Sequence, residues 1–234
     1  MENNRQAKTT YAITGGIGSG KSYVCRILAD YGIGVYDCDA GAKRLMRSDP
    51  SLQKRLSHAV GKDIFPDGML DKAALTSFLL QSPENNALIN SIVHPAVAED
   101  FVASGYTWME SAILFEAGFE KYVDRVVCVS APIEMRIKRI MERDSITRER
   151  ALEWINRQMA QEEKEHRADY VIERWGDTCQ TANREDIRLN SLDNKTPQIY
   201  TRAGVRNGVH STQALSCCHM RTPQTSGHGA KKHQ

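Results

Sequence analysis

The chain has 234 residues, of which 31 are basic and 29 acidic, and its formal net charge is +2. This length allows one α/β domain with an insertion or two small domains, and the small net charge gives no case for a nucleic-acid surface. No apolar run is long enough to cross a membrane and no signal-peptide pattern is present, so we expect a cytosolic protein without a membrane partner. Six scattered cysteines lack the spacing of a zinc site, which favours free thiols.

A glycine-rich loop is the most specific motif. Residues 15–22 are GGIGSGKS, between the apolar segment 11–13 and an amphipathic stretch, which is the order of a phosphate-binding P-loop. An ordinary glycine-rich turn is the alternative. We expect ATP and Mg²⁺ as ligands, with Lys21 at the β- and γ-phosphates and the Ser22 hydroxyl on the metal. The predicted nucleotide contacts are Gly15, Ile17, Gly18, Ser19, Gly20, Lys21 and Ser22.

The elements after this loop predict an α/β fold with a parallel sheet flanked by helices. Apolar residues at 24, 27, 28 and 31 share one helical face, Gly32 can end that helix, and 33–36 is a second short strand. Strand, loop, helix and strand in this order imply a right-handed parallel crossover. Further predicted elements are a mostly helical stretch at 40–104, strands at 106–109, 125–129 and 169–172, and a charged helical stretch at 132–165.

Two carboxylates follow the second strand. Asp37 and Asp39 lie beyond the carboxyl end of a strand, where ligands bind in open α/β sheets, and strand alternation would point both to the same side. An aspartate near the γ-phosphate could orient an acceptor hydroxyl and take its proton, whereas a solvated turn or a helix N-cap is the alternative. Glu110, after the third strand, is a candidate for the magnesium shell or a surface carboxylate.

A cationic helix face is predicted between residues 133 and 143. Arg136, Arg139 and Arg143 can share one face because they are spaced by three and four residues. Such a face beside an ATP site could close over the phosphates and stabilise charge during transfer, although an exposed, salt-bridged helix has the same pattern. By itself, His94 is better explained as a helix-entry or packing residue than as a catalyst.

The ordered set of motifs indicates a small-molecule kinase. Transporter-type ATPases and GTPases are disfavoured because the chain lacks an LSGGQ-like segment and a DxxG–NKxD pair. Over residues 9–173 the chain resembles the dephospho-CoA kinase family. The motifs that carry this resemblance are the loop 14–22, Asp37-Cys38-Asp39, His94-Pro95, the segment 113–116, Arg139 with Arg143-Asp144, Gln158, and the segment 168–172.

The resemblance implies a P-loop kinase fold and transfer of the ATP γ-phosphoryl group to the ribose 3′-hydroxyl of dephospho-CoA. We expect Asp37 and His94 to contact this acceptor. The predicted catalytic residues are Asp39, Lys21, Arg139 and Arg143. The predicted regions of the kinase domain, 1–174, are a core of 9–48 and 105–132, a helical substrate region of 49–104, a lid of 133–165 and a last strand of 169–173.

Two other functions stay open at this point. A nucleoside or nucleotide kinase would share the P-loop, the acid pair and an arginine lid, and the oligomeric state is open in either case. A nucleotide-binding protein without turnover would result from an altered C-terminus. After Ile172 the family pattern of a polar turn and a final helix stops, and only seven of residues 175–234 are Leu, Ile, Val or Phe. We predict that 175–234 is an irregular or disordered tail.

Overall fold

Five parallel strands form the centre of the fold. The computed structural model describes residues 8–173 and, beyond them, the backbone of three two-residue strands. In space the strands follow the order β2-β3-β1-β4-β5, so the predicted α/β fold with a parallel sheet is confirmed. The strands are β1 (Tyr11–Thr14), β2 (Val35–Asp37), β3 (Trp108–Glu110), β4 (Arg125–Ser130) and β5 (Tyr170–Glu173).

Three short strands lie in the C-terminal part of the chain. β6 (Arg188–Leu189) pairs antiparallel with β7 (Ile199–Tyr200), and β8 (Met220–Arg221) pairs antiparallel with β5. Apart from these strands, the predicted tail 175–234 lies outside the described residues.

Helices connect the strands, and side-chain caps fix where several of them begin. Asp49 accepts the backbone N–H of Ser51 at 2.8 Å, and Asp71 accepts that of Ala74 at 2.9 Å. A short polar side chain at this position satisfies an N–H that the helix leaves unpaired. In the described part of the chain the helices are α1 (Lys21–Asp30), α2 (Cys38–Ser48), α3 (Pro50–Val60), α4 (Lys72–Leu79), α5 (Pro83–Ser104), α6 (Ile133–Asp144), α7 (Arg148–Asn156) and α8 (Gln161–Arg167).

The start of α2 corrects one sequence prediction. β2 ends at Asp37, whose side chain accepts the backbone N–H of Ala40 at 2.9 Å and so acts as the N-cap of α2. Asp39 therefore lies in the first helical turn, and the strand alternation predicted for the two aspartates is wrong. A helix entry at His94 is wrong as well, because α5 continues through Pro95.

The structure divides into two compact units, each with its own apolar core. The first contains the residues up to Thr14 and from Lys21 to Val126, and the second contains Gly15–Gly20 and the chain from Val127 onward. In the first, α5 packs on α2 and α3 around the fully buried Leu52, Leu56, Val97 and Phe101. In the second, α6 packs on α7 through Ile137, Ile140, Ala151 and Ile155.

Among the described helices, none combines the length with the apolar character that crossing a membrane requires.

Asp124 joins the beginning of β4 to the residue before β1. Its carboxylate accepts the backbone N–H of Thr10 at 2.7 Å and the Thr10 hydroxyl at 2.9 Å. These hydrogen bonds lower the pKa of the Asp124 carboxyl below its ordinary value. Because the folded pKa lies below the unfolded one of about 4, the stabilisation is complete above that pH and is lost as the pH falls through the folded pKa.

We expect Asp124→Asn to remove this acid-sensitive part of the stability. Between about pH 5 and pH 2, the free energy of unfolding of the variant should fall less steeply than that of the wild type, because the neutral amide binds no proton. Urea unfolding at a series of pH values measures both slopes, and Asp30→Asn, at the exposed end of α1, is the control. Equal slopes in the wild type and in Asp124→Asn would contradict the prediction.

Candidate active site

Two glycines of the phosphate loop are required by its backbone geometry. Gly15 and Gly18 have φ values of +139° and +78°, in the region that side chains disfavour. A Cβ on Gly15 would overlap the carbonyl oxygen of Val129, and one on Gly18 would lie 2.7 Å from that of Arg136. The loop is therefore pressed against β4 and α6, which leaves no room for larger residues.

Two arginines of α6 hold the outer side of this loop. The Arg136 Nε donates to the carbonyl oxygen of Ile17 at 3.0 Å. Arg139 donates to the carbonyl oxygens of Gly18 at 3.1 Å and Ser19 at 3.3 Å. Arg136 is buried, which lowers the pKa of its guanidinium below the ordinary value. Two of the three arginines of the predicted cationic face, Arg136 and Arg139, therefore contact the phosphate loop.

The third arginine of the predicted face points elsewhere. Arg143 forms an ion pair with its neighbour Asp144 at 2.7 Å, and 61% of its side-chain surface is exposed. The catalytic roles of Arg139 and Arg143 stay predictions.

Two glutamines complete the support of the loop. Gln161 Oε1 accepts the backbone N–H of Gly16, and Gln158 Oε1 accepts that of Ile17, both at 2.8 Å. The sequence motifs included Gln158 without a role and missed Gln161. Gln158 lies between α7 and α8, and Gln161 is the first residue of α8. The structure interrupts the predicted helical stretch here, and no periodic pattern marks such a position.

The loop continues directly into α1, which begins with Lys21 and Ser22. Lys21 is mostly buried, and its Nζ lies 3.8 Å from Oε1 of Glu110. Glu110 ends β3, where it lies in register with Asp37 of β2. The Ser22 side chain is exposed.

Glu110 interacts electrostatically with Lys21, Asp37 and Asp39. Burial raises the pKa of its carboxyl, and the Lys21 ammonium opposes that rise. The charges of Asp37 and Asp39 raise the pKa further, so both of the predicted acids lie near Glu110. The side chains of Asp37 and Asp39 are exposed, and an incoming acceptor can therefore reach them.

Polar contacts to Asp100 hold α2, the helix that carries Asp39, against α5. The Tyr36 hydroxyl donates to Asp100 at 2.6 Å, and Arg44 forms an ion pair with the same carboxylate. Burial and the neighbouring Asp100 raise the pKa of the Tyr36 hydroxyl, so it stays protonated and donates. Gly41 is the contact point with Tyr36, because a Cβ there would overlap the hydroxyl.

Cysteines accompany the acids. Cys38 is buried between Asp37 and Asp39, and its pKa is raised by burial and then by the charge of Glu110. Burial and the same charge raise the pKa of Cys25 to about 12. The raised pKa disfavours the thiolate form that a nucleophilic cysteine needs.

His94 packs edge-on against Phe119, with 5.5 Å between the ring centroids. Burial lowers the pKa of its imidazole, so the neutral form is favoured. This packing contact agrees with the structural interpretation of His94, and its contact with an acceptor stays a prediction.

The second unit contains a cavity of about 520 Å³ beside the loop. Three of the residues that line it, Arg136, Gln158 and Gln161, also hydrogen-bond to the loop. On its polar side, Glu165 Oε1 accepts the Ser130 hydroxyl at 2.5 Å and the Gln161 amide at 3.2 Å. The cavity therefore lies directly beside the phosphate loop, and its lining contains both apolar side chains and carboxylates.

Comparisons with known proteins agree on one family. A family model described as dephospho-CoA kinase matches residues 9–180. A dephospho-CoA kinase of Bacteroides fragilis is 41% identical over 167 residues, which cover 68% of this chain and 82% of that protein. One of Deinococcus radiodurans is 34% identical over 77% of this chain and 91% of that protein.

Solved structures show the same fold. A Thermus thermophilus protein is 33% identical with a TM-score of 0.62, covering 73% of this chain and 91% of that one. A dephospho-CoA kinase from Campylobacter jejuni is 23% identical with a TM-score of 0.52, covering 72% and 89%.

Proposed function

Because the chain belongs to the dephospho-CoA kinase family, we propose that it transfers the γ-phosphoryl group of ATP to the ribose 3′-hydroxyl of dephospho-CoA, which yields coenzyme A and ADP. The family match over residues 9–180 carries this proposal. The family match makes the chain a transferase of the P-loop kinase fold with ATP as co-substrate. A cytoplasmic location and the absence of a nucleic-acid partner stay predictions.

The nucleotide binds, in this proposal, at the loop and the cavity beside it. Backbone N–H groups of the loop and the Lys21 ammonium neutralise the phosphates. The adenosine part occupies the 520 Å³ cavity, where Ile133, Ile155 and Met159 supply apolar contacts. Carboxylates of the same cavity can accept a hydrogen bond from the exocyclic amine of adenine. With the phosphates at the loop and the adenosine in the adjoining cavity, one nucleotide would occupy both.

Magnesium fits the residues at the start of α1. Mg²⁺ keeps several waters and phosphate oxygens and takes only one or two protein ligands, so it needs no protein-built cage. No cluster of three metal-binding His, Cys, Asp or Glu side chains occurs in the described part of the chain. The exposed Ser22 hydroxyl would hold the ion, whose charge would offset that of the phosphate oxygens.

Transfer itself relies on positioning and charge. Asp39 accepts the proton of the 3′-hydroxyl as it attacks, and Asp37 keeps the helix that carries Asp39 in place. Asp37 and His94 contact the acceptor. We further propose that residues 49–104 receive the acceptor and that residues 133–165 form the lid, from which Arg139 and Arg143 stabilise the transferring group.

A coupled ADP-release assay tests this function. Dephospho-CoA should support turnover well above the ATP-only background, and a panel of nucleosides and nucleotides should not. Mass spectrometry with nuclease mapping then locates the added phosphate at the 3′ position. Turnover with a nucleoside instead would favour the nucleoside-kinase alternative, and ATP binding without any turnover would favour the inactive binder.

For the lid, we expect Arg139→Ala to lower kcat about tenfold or more, because its charge acts mainly on the closed complex. ATP binding should weaken less, through the loss of the hydrogen bonds from Arg139 to the Gly18 and Ser19 carbonyl oxygens. The double change with Arg143→Ala should be non-additive. Steady-state kinetics of both single variants and the double variant measure this. Small, equal and independent effects would instead indicate a plain surface helix.

A further inference from the structure

Two consecutive N–H groups early in the phosphate loop donate to glutamine side chains. Gly16 and Ile17 donate to the side-chain oxygens of Gln161 and Gln158, both at 2.8 Å. The carbonyl oxygen of Ile17 accepts Arg136 Nε at 3.0 Å, so this turn is held on both sides. The N–H of Ser19 in turn donates to the carbonyl oxygen of Gly16 at 3.1 Å, so the conformation of this turn depends on the two glutamine contacts.

The glutamines are themselves held in place. Gln161 is buried, and its amide nitrogen donates to Glu165 Oε1 at 3.2 Å, which fixes which end of the amide faces Gly16. Gly16 has no space for a side chain, because a Cβ would overlap the Arg136 guanidinium and touch Gln161. The contact therefore depends on an exact fit between the loop and these two side chains.

The charge of the acceptors matters as much as their position. A carboxylate would accept the same N–H groups at a similar distance, and a hydrogen bond to an ionised acceptor is the stronger one. The carboxylate would also place a full negative charge next to a bound triphosphate, where repulsion in a partly buried site is strong. Glutamine offers the same oxygen without that charge.

We propose that Gln158 and Gln161 are positioning residues for the nucleotide: their neutral oxygens hold the first turn of the loop in its anion-binding shape without repelling the triphosphate. This proposal rests on the proposed function only in assuming ATP as the ligand. ATP binding without the acceptor tests it separately, since a chain that binds ATP but does not phosphorylate dephospho-CoA fails the proposed function alone.

The test is the isosteric change Gln158→Glu in the full chain. We expect the Kd for Mg-ATP, measured by calorimetry at low salt, to rise about tenfold, and we expect this rise to shrink at high salt. The unfolding temperature should match that of the wild type, because the carboxylate still accepts the Ile17 N–H. Gln158→Met, which removes the acceptor without adding charge, should weaken binding less and independently of salt.

A matched control is Gln81→Glu, the same change of charge at an exposed position between α4 and α5, which should bind ATP like the wild type. Unchanged ATP affinity of Gln158→Glu, or a salt-independent loss equal to that of Gln158→Met, would overturn the proposal. If Gln158→Glu does not fold, Gln161→Glu is measured in its place. Unfolding of both would also overturn it, because their neutrality would then serve folding instead of nucleotide binding.

Discussion

Asp39→Asn should lower kcat about 10²- to 10⁴-fold with little change in ATP binding. The amide keeps the shape of the side chain but cannot take the proton of the attacking hydroxyl. Because Asp39 lies exposed in the first turn of α2, its replacement disturbs no core contact. Steady-state kinetics with dephospho-CoA and calorimetry with ATP measure the two quantities.

Asp37→Asn is the matched control for this prediction. Asparagine is as good an N-cap as aspartate, so α2 keeps its start and only the charge is lost. Its effect on kcat should be smaller than that of Asp39→Asn. A larger loss at Asp37 would reverse the roles of the two acids.

Lys21→Ala should lower kcat roughly a hundredfold or more, because it removes the positive charge that follows the γ-phosphate during transfer. The same change leaves the mostly buried Glu110 without its ion-pair partner. An uncompensated buried charge destabilises a fold, so some loss of stability is expected besides the loss of activity.

The double variant Lys21→Ala/Glu110→Gln separates these two effects. The neutral amide should restore the unfolding temperature towards that of the wild type, whereas kcat should stay low. Near-normal turnover in either variant would show that the loop does not act as a P-loop.

The sequence predicted the parts of the fold that depend on local patterns. The glycine-rich loop and the apolar runs of the strands act over a few positions, and the structure agrees with them. The acid at the end of β3 was also found, because strand ends mark the ligand edge of a parallel sheet.

What the sequence missed depends on contacts between distant residues. Strand alternation was expected to point Asp37 and Asp39 to the same side, but the alternative of a helix N-cap is what forms, because Asp37 caps α2. The hydrogen bonds from the loop to Gln158 and Gln161 join residues more than 140 positions apart. Only packing of α6–α8 on the loop brings them together, and packing leaves no periodic signal in either segment.

The buried thiol of Cys38 can be used to measure local opening of the chain beside Asp37 and Asp39. Its thiol is buried and held protonated between Asp37 and Asp39, so a thiol reagent reaches it only when the first turn of α2 opens. When closing is faster than modification, its rate of modification is the fraction of time that this turn is open multiplied by the rate of a free thiol. The modification rate of Cys38 therefore reports how much of the time the turn beside Asp39, the proposed catalytic carboxylate, is open.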